Sequence, residues 1–166
     1  MEYYLYLRPV CEQDLEIIHS WNINPLIINQ FNLPDNKPNS WRDTMEWWQN
    51  LGNTLLYVPT VVDKVQSATY WKGRPIGLTW IENIRTEPEI GAFIGDTDYY
   101  KSNALVEIYD RTLSIVERKT GVKKASLKVP RNQSLIDILQ KYGWVVDCEV
   151  DGMVECNYGT VAVQST

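Results

Sequence analysis

The C-terminal half of the chain is punctuated in a way that few folds can satisfy. Leu105, Ile108, Tyr109, Leu113 and Val116 recur at helical spacing, and the stripe stops at Gly121, which suits the residue just past a helix end. A β-prone run from Ala125 to Val129 follows and ends at Pro130. A second helical stripe, Leu135, Ile138, Leu139 and Tyr142, stops at Gly143. Val145–Val150 and Met153–Val163 then form a hairpin around Asp151-Gly152, a pair that suits a two-residue turn. Helices striped on one face and alternating with strands need a sheet to lie on, which places the chain in the α/β class.

The N-terminal half is organised differently. Tyr3–Arg8 reads as a first strand stopped by Pro9, and Glu12–Trp21 as a helix broken by Asn24-Pro25. Residues 32–39 are loop-like. Ser40-Trp41-Arg42-Asp43 then matches a capping box, so a helix runs to about Leu51 with Trp41, Met45 and Trp48 facing the core. Leu55–Val62 is β-prone, but Pro59 argues against a central position. Ser67–Trp71 and Pro75–Ile81 read as a hairpin around Lys72-Gly73-Arg74, and Glu89–Ile94 as a strand ended by Gly95-Asp96. The order β-α-α, a meander of strands, then α-β-α-β-β predicts a mixed sheet with helices on its faces. With no internal repeat or linker, residues 1–166 are expected to form one domain.

Composition narrows the function classes. A net charge of −5 repels phosphate backbones and argues against nucleic acid as a partner, while suiting a cationic acceptor such as an amine. Three cysteines, Cys11, Cys148 and Cys156, give no disulfide framework; the Asp-Gly turn sets Cys148 opposite Glu155, so Cys148 and Cys156 point to opposite faces. One histidine, His19, and no C-x-x-C leave no readable metal site. The first residues lack a signal pattern and no apolar run spans a bilayer, so a cytoplasmic location without membrane attachment is expected.

The element order and several local runs together resemble the GNAT acyl-CoA N-acyltransferases along nearly the whole chain. Leu7-Arg8-Pro9 with Asp14-Leu15 is similar to the family's first strand and helix, and Arg74-Pro75-Ile76-Gly77 to its third-strand hairpin. The run from Glu89 to Tyr100 resembles its fourth strand and the approach to the CoA loop. Glu107, and Asn132 followed by a helix to Tyr142-Gly143-Trp144, fit the later helices. The branch most resembled is that of the ribosomal-protein N-terminal acetyltransferases. The resemblance implies a mostly antiparallel sheet with helices on both faces. It also implies acetyl-CoA as cosubstrate, an amine as acceptor, and direct attack in a ternary complex. The pantetheine arm would lie beside the fourth strand around Phe93 and Ile94, and the backbone amide of Phe93 or Ile94 would polarise the thioester carbonyl. Lys101, Ser102, Asn103 and Ala104 would form the pyrophosphate loop at a helix N-terminus, with Asn132 nearby.

The chain departs from that pattern at three places. The loop's glycine positions hold Lys101 and Asn103; Asn103 is expected to keep a positive-φ turn, and Lys101 either pairs with phosphate or is a solvated loop lysine. The tyrosine that protonates the leaving thiolate in many members is replaced by Leu139, which leaves Tyr142 as the candidate acid or as a packed tyrosine near a helix end. The base that frees the amine is read as Glu89 or Glu82, acting through water, with Asp63 as a third option; solvated strand-end carboxylates are the alternative. His19 reads as structural. Trp41, Trp47 and Trp48 would shape the acceptor side. These departures keep open a second function class, a catalytically inactive GNAT-fold binding or assembly module. A strand-mediated homodimer is compatible with the residues and not required by them.

Overall fold

The computed structural model describes residues 3–63, 73–101 and 103–159. Among these residues, eight strands form one sheet: β1 (Tyr3–Pro9), β2 (Leu55–Asp63), β3 (Arg74–Pro75), β4 (Gly77–Glu82), β5 (Glu89–Ile94), β6 (Ala125–Pro130), β7 (Val145–Val150) and β8 (Met153–Tyr158). Their order is β1-β2-β4-β5-β6-β8-β7, with β3 on β2. Every pairing is antiparallel except that of β5 with β6. The Asp151-Gly152 turn has both residues at positive φ and sets Cys148 opposite Glu155, the expected register.

Among the described residues, five α-helices flank the sheet: α1 (Leu15–Asn22), α2 (Pro25–Phe31), α3 (Trp41–Gln49), α4 (Ala104–Thr120) and α5 (Gln133–Lys141). Adjacent strand residues show which face each helix covers. Thr79, opposite Ala92 on β5, meets Thr112 of α4 hydroxyl to hydroxyl at 3.0 Å. The next residue, Phe93, points the other way, edge-on to Trp21 of α1 and beside Phe31 of α2. Successive strand side chains alternate faces, so α4 and the α1–α2 pair lie on opposite sides. The stripe Ile108, Tyr109, Leu113 and Val116 is buried against β4 and β5. Each such burial stabilises by roughly 1.5–3 kcal/mol. At the root of α1, Arg8 grips Asp14 through two hydrogen bonds of 2.7 Å. Burial pushes the Asp14 carboxyl up, but Arg8 and the Cys11 amide and thiol outweigh it and hold it below its ordinary value.

Three expectations need correction. Asn24-Pro25 does not merely break a helix; Asn24 Oδ1 accepts from the Leu26 amide and Pro25 opens α2 at the position where its missing N–H costs nothing. The helix opening at Ser40 ends at Gln49, and its stripe is core only in part: Trp48 packs half-buried against the core, whereas Trp41 is 46 % exposed and stacks edge-on against His19, and Thr44 is the buried residue. Its cap is as expected, with Ser40 Oγ accepting from the Asp43 amide.

The third correction is Pro59, which sits in the inner strand β2, between β1 and β4. Its carbonyl accepts from Ile76 N at 2.9 Å, so its missing N–H falls on that same side. Ile76 is the single residue separating β3 from β4. The ladder is interrupted there, and a proline is tolerated without losing a bond. The Ser67–Trp71 arm of the expected hairpin, and the end of the chain past Gly159, lie outside the described residues.

Candidate active site

The site begins where one strand pair comes apart. β5 and β6 are paired at Glu89–Ser126 and Ile90–Leu127 only, although both strands run on to Ile94 and Pro130. The hydrogen-bonding direction of β5 can be read from its partners. Gly95 N donates to Ile76 O, and Gly91 O accepts from Thr79, so the odd-numbered residues bond toward β4. The even-numbered residues therefore turn their amides and carbonyls to the β6 side. Past Ile90 those of Ala92 and Ile94 face the gap. Phe93 presents its amide to β4 and its ring, 1 % exposed, to the α1–α2 side. Ile94, expected beside the cosubstrate, thus turns its backbone groups to the gap, and the strand's phase brings those of Ala92 there as well.

Two cavities lie along the gap. The one beside α4 and α5, of about 230 Å³, is lined by Ile94, Tyr100, Lys101, Asn103, Pro130 and Asn132, among others. Four of the expected cofactor residues therefore meet. Ala104 is fully buried at the start of α4, and Ser102 lies outside the described residues. Asn132 caps α5, its Oδ1 accepting from the Leu135 amide at 3.1 Å. Asn103 precedes α4 with φ −80, so its tolerance of positive φ is not used. The chain instead reaches α4 through a right-handed turn, Thr97–Tyr99, which needs no glycine. Asp96 caps this turn at the Asp98 amide, and Arg74 ties it down, reaching Asp96 at 3.2 Å and the Tyr99 hydroxyl at 3.2 Å. Lys101 is exposed at the cavity rim.

The cavity on the α2 side, about 250 Å³, holds both expected bases. Glu82 and Glu89 are directly opposed on β4 and β5, both exposed. Cross-strand Cβ atoms lie about 5 Å apart, and like charges so placed repel. Asn83 donates to Glu89 at 3.5 Å. Trp80 forms an aromatic wall over Gly91, where any Cβ would meet the indole ring. Phe31 and Pro130 border both cavities.

Other candidates lie elsewhere. Tyr142 caps the end of α5, is 53 % exposed and lines a groove with Tyr6, Glu107 and Arg111, not either cavity. Its spacing from Leu139 marks a turn of the helix end, and Leu139 itself is fully buried. Asp63 closes β2 opposite Tyr3, on the β1 side of the sheet. His19 joins α1 to α3, its Nδ1 3.3 Å from Thr44 Oγ1. Trp47 and Trp48 are half-buried against the core. Among the described residues, no helix is long and apolar enough to cross a membrane.

No family model matches the chain. It is 28 % identical over 130 residues to an uncharacterized protein of Methanocaldococcus jannaschii, a match covering 76 % of this chain and 25 % of that protein. The chain thus spans about a quarter of the length of the curated relative it matches. Its structure is similar to that of a domain from the same organism (TM-score 0.77, 20 % identity, 94 % of this chain and 98 % of that one). It is also similar to the aminoglycoside acetyltransferase AAC(6')-Ib in complex with coenzyme A (0.72, 16 %, 98 % and 99 %). A third similar structure is spermidine N-acetyltransferase from Vibrio cholerae in complex with CoA and spermine (0.71, 18 %, 92 % and 94 %). The mixed, mostly antiparallel sheet with helices on both faces is the GNAT fold.

Proposed function

We propose that residues 1–166 form an acetyl-CoA-dependent N-acetyltransferase that acetylates a primary amine by direct attack in a ternary complex. One observation carries this reading. The parting of β5 from β6 opens a gap with two cavities along it, one reaching α4 and α5 and one reaching the segment after α2, and the same two residues, Phe31 and Pro130, border both. A cosubstrate on the α5 side and an acceptor on the α2 side meet across such a gap. Similar structures hold CoA together with spermine or with an aminoglycoside.

The residues fit an acyl-CoA arm. Strand-edge groups of Ala92 and Ile94 offer hydrogen bonds along the gap, in the manner of an added strand. The Ile94 amide is the candidate donor to the thioester carbonyl, whose oxygen gains charge as the amine attacks. The N-terminus of α4, with Lys101 at the rim, favours the pyrophosphate; α4 is 17 residues long. Asn132 and Asn103 complete the wall, whereas Phe93 and Ala104 are buried and take no direct part in it.

On the acceptor side, Glu82 and Glu89 draw a cationic amine and take its proton through water. Nitrogen attacks the acetyl carbonyl, the C–S bond breaks, and CoA leaves as its thiolate. We assign no tyrosine acid at Tyr142; a thiolate leaves without one at some cost in rate. Within the superfamily, the run from Glu89 to Tyr100 supports the ribosomal-protein N-terminal branch, whereas the paired carboxylates suit any cationic amine. Lys101 and Leu139, standing where many members carry glycine and tyrosine, favour a second reading, an inactive scaffold that binds a partner.

Thiol release from acetyl-CoA, followed against a panel of a polyamine, an amino sugar, an aminoglycoside and a peptide with a free N-terminus, tests the proposal. Saturable, amine-dependent release with at least one class is expected. No release with any of them, from protein that binds acetyl-CoA, would leave the scaffold reading standing.

A further inference from the structure

Tyr109 stands on the buried stripe of α4 and is 1 % exposed, yet it lines the cavity that holds Glu82 and Glu89. Its hydroxyl has no hydrogen-bond partner among the described residues, and it is not sealed from water. The side-chain oxygen among those residues that is both sealed and unpaired is the hydroxyl of Tyr100. The little surface that Tyr109 keeps therefore includes its hydroxyl, at the one cavity it lines. Native proteins pair nearly all buried polar groups, so a phenol left with such an opening is suited to a partner that enters by it.

The two sides of the sheet meet in that cavity. Ala92, which lies on the α4 side, lines it together with Tyr109, Leu127 and Pro130. Glu82 and Glu89 border it from the opposite side of the sheet. Tyr109 thus reaches the parting of β5 and β6 from one side, and the carboxylates reach it from the other. This part of α4 is held to the sheet: one turn on, Thr112 donates to Ile108 O at 2.6 Å and meets Thr79 of β4 at 3.0 Å. Burial, with a contribution from the Cys156 thiol, pushes the Tyr109 pKa well above the ordinary phenol value. Thiols are far more acidic, near ~8.5. Such a phenol keeps its proton beside a thiolate and gives it a hydrogen bond instead.

We propose that Tyr109 is a catalytic residue of the transfer: its hydroxyl donates a hydrogen bond to the sulfur of the departing CoA. This rests on the reading of the cleft as an acyl-CoA site. The amine nitrogen bonds to the acetyl carbon, the C–S bond breaks, and its electron pair stays on sulfur. A donor already in place stabilises the charge that builds there. The carbonyl oxygen has the Ile94 amide for the same purpose. The sulfur has no such partner on α5, where Leu139 is fully buried and Tyr142 lies on another surface. No proton leaves Tyr109, and CoA departs as its thiolate.

Tyr109→Phe keeps the ring and removes only the hydroxyl. The free variant is expected to melt at or above the wild-type temperature, since no bond within the chain is lost. Calorimetry is expected to show acetyl-CoA bound within about twofold of wild type, because the charge is not yet on sulfur. The single-turnover rate of transfer is expected to fall about 10- to 100-fold, the range of one hydrogen bond to a charged group. A free variant that melts lower would place a structural partner on the hydroxyl and overturn the proposal, and so would an unchanged transfer rate. Affinity lost in step with the rate would put the hydroxyl on the bound arm and not on the departing sulfur, which also overturns it. Wild-type protein that binds acetyl-CoA but acetylates no amine would end the catalytic role and leave the cleft reading intact. Wild-type protein that binds no acetyl-CoA would overturn both.

Discussion

Strand β6 has two flanks that are built in opposite ways. Toward β8 it is paired at every residue from Ala125 to Pro130, and its inward side chains Ala125, Leu127 and Val129 are sealed beneath α-helix and sheet. Toward β5 it is paired at two positions and then abandoned. The same strand therefore completes a ladder on one side and, past Leu127, borders an opening on the other. Sheet ladders are not given up at random, because unpaired strand amides must find other partners. The closed flank bears the stability of this part of the fold, and the open flank is free to bind.

That comparison can be broken most forcefully at its hinge. Leu127 is 2 % exposed, pairs with Ile90 on the last closed rung and faces Cys156 across the other flank. Leu127→Ala is expected to cost about 2–5 kcal/mol in urea unfolding, as cavity-forming core truncations do. A loss under 1 kcal/mol would mean the root of the gap is not the anchored point. The open flank is expected to respond in chemistry and not in stability. Replacing both Glu82 and Glu89 by Gln should lower turnover about 10²-fold, the low end of what a general base contributes. The deficit should shrink as pH approaches the amine pKa near ~10, where the acceptor frees itself. A pH-independent deficit would point to amine binding, and not to proton removal. The smallest effect is expected at the support of the cleft. Arg74→Ala unties the turn before α4, and KM for acetyl-CoA should rise about two- to fivefold, the scale of an exposed ion pair. An unchanged KM would show that the Asp96 cap suffices.

Much of the closed architecture was legible in the sequence, because local rules agree with the tertiary outcome there. Gly121 has φ +81 at the end of α4, Asn132 caps α5, and the Asp-Gly turn fixes the last hairpin from Val150 back to Cys148, where the register shifts. Where local rules were overruled, the reason was a partner distant in sequence. Pro59 reads as an edge residue until Ile76 is seen to interrupt the neighbouring ladder. Trp41 reads as core until α3 is seen to pack on α1 through Thr44 and His19. Asn24-Pro25 carried both a break and a start, and only the break was read.

The site was legible in part. Glu82 and Glu89 were named separately, and register made them a facing pair. Lys101 and Asn132 reached the cavity as expected, whereas Asn103 arrived there without the positive φ that had singled it out. Ala92 and Tyr100 enter the sequence analysis only within the run from Glu89 to Tyr100, with no part of their own. The first depends on which way a strand turns its amides, and the second on where the turn before α4 sets its ring. Both are properties of tertiary structure. Tyr142 had a signal, helical spacing from Leu139, but that spacing carried it past the end of α5 and onto another surface.

The most direct test of the open flank is a calorimetric titration of the unmodified protein with acetyl-CoA. Saturable binding of one acetyl-CoA per chain in the micromolar range, with a matching rise in melting temperature, is the predicted result. No heat and no thermal stabilisation at millimolar acetyl-CoA would mean that the gap between β5 and β6 does not receive the cosubstrate, and the acetyltransferase account would fail.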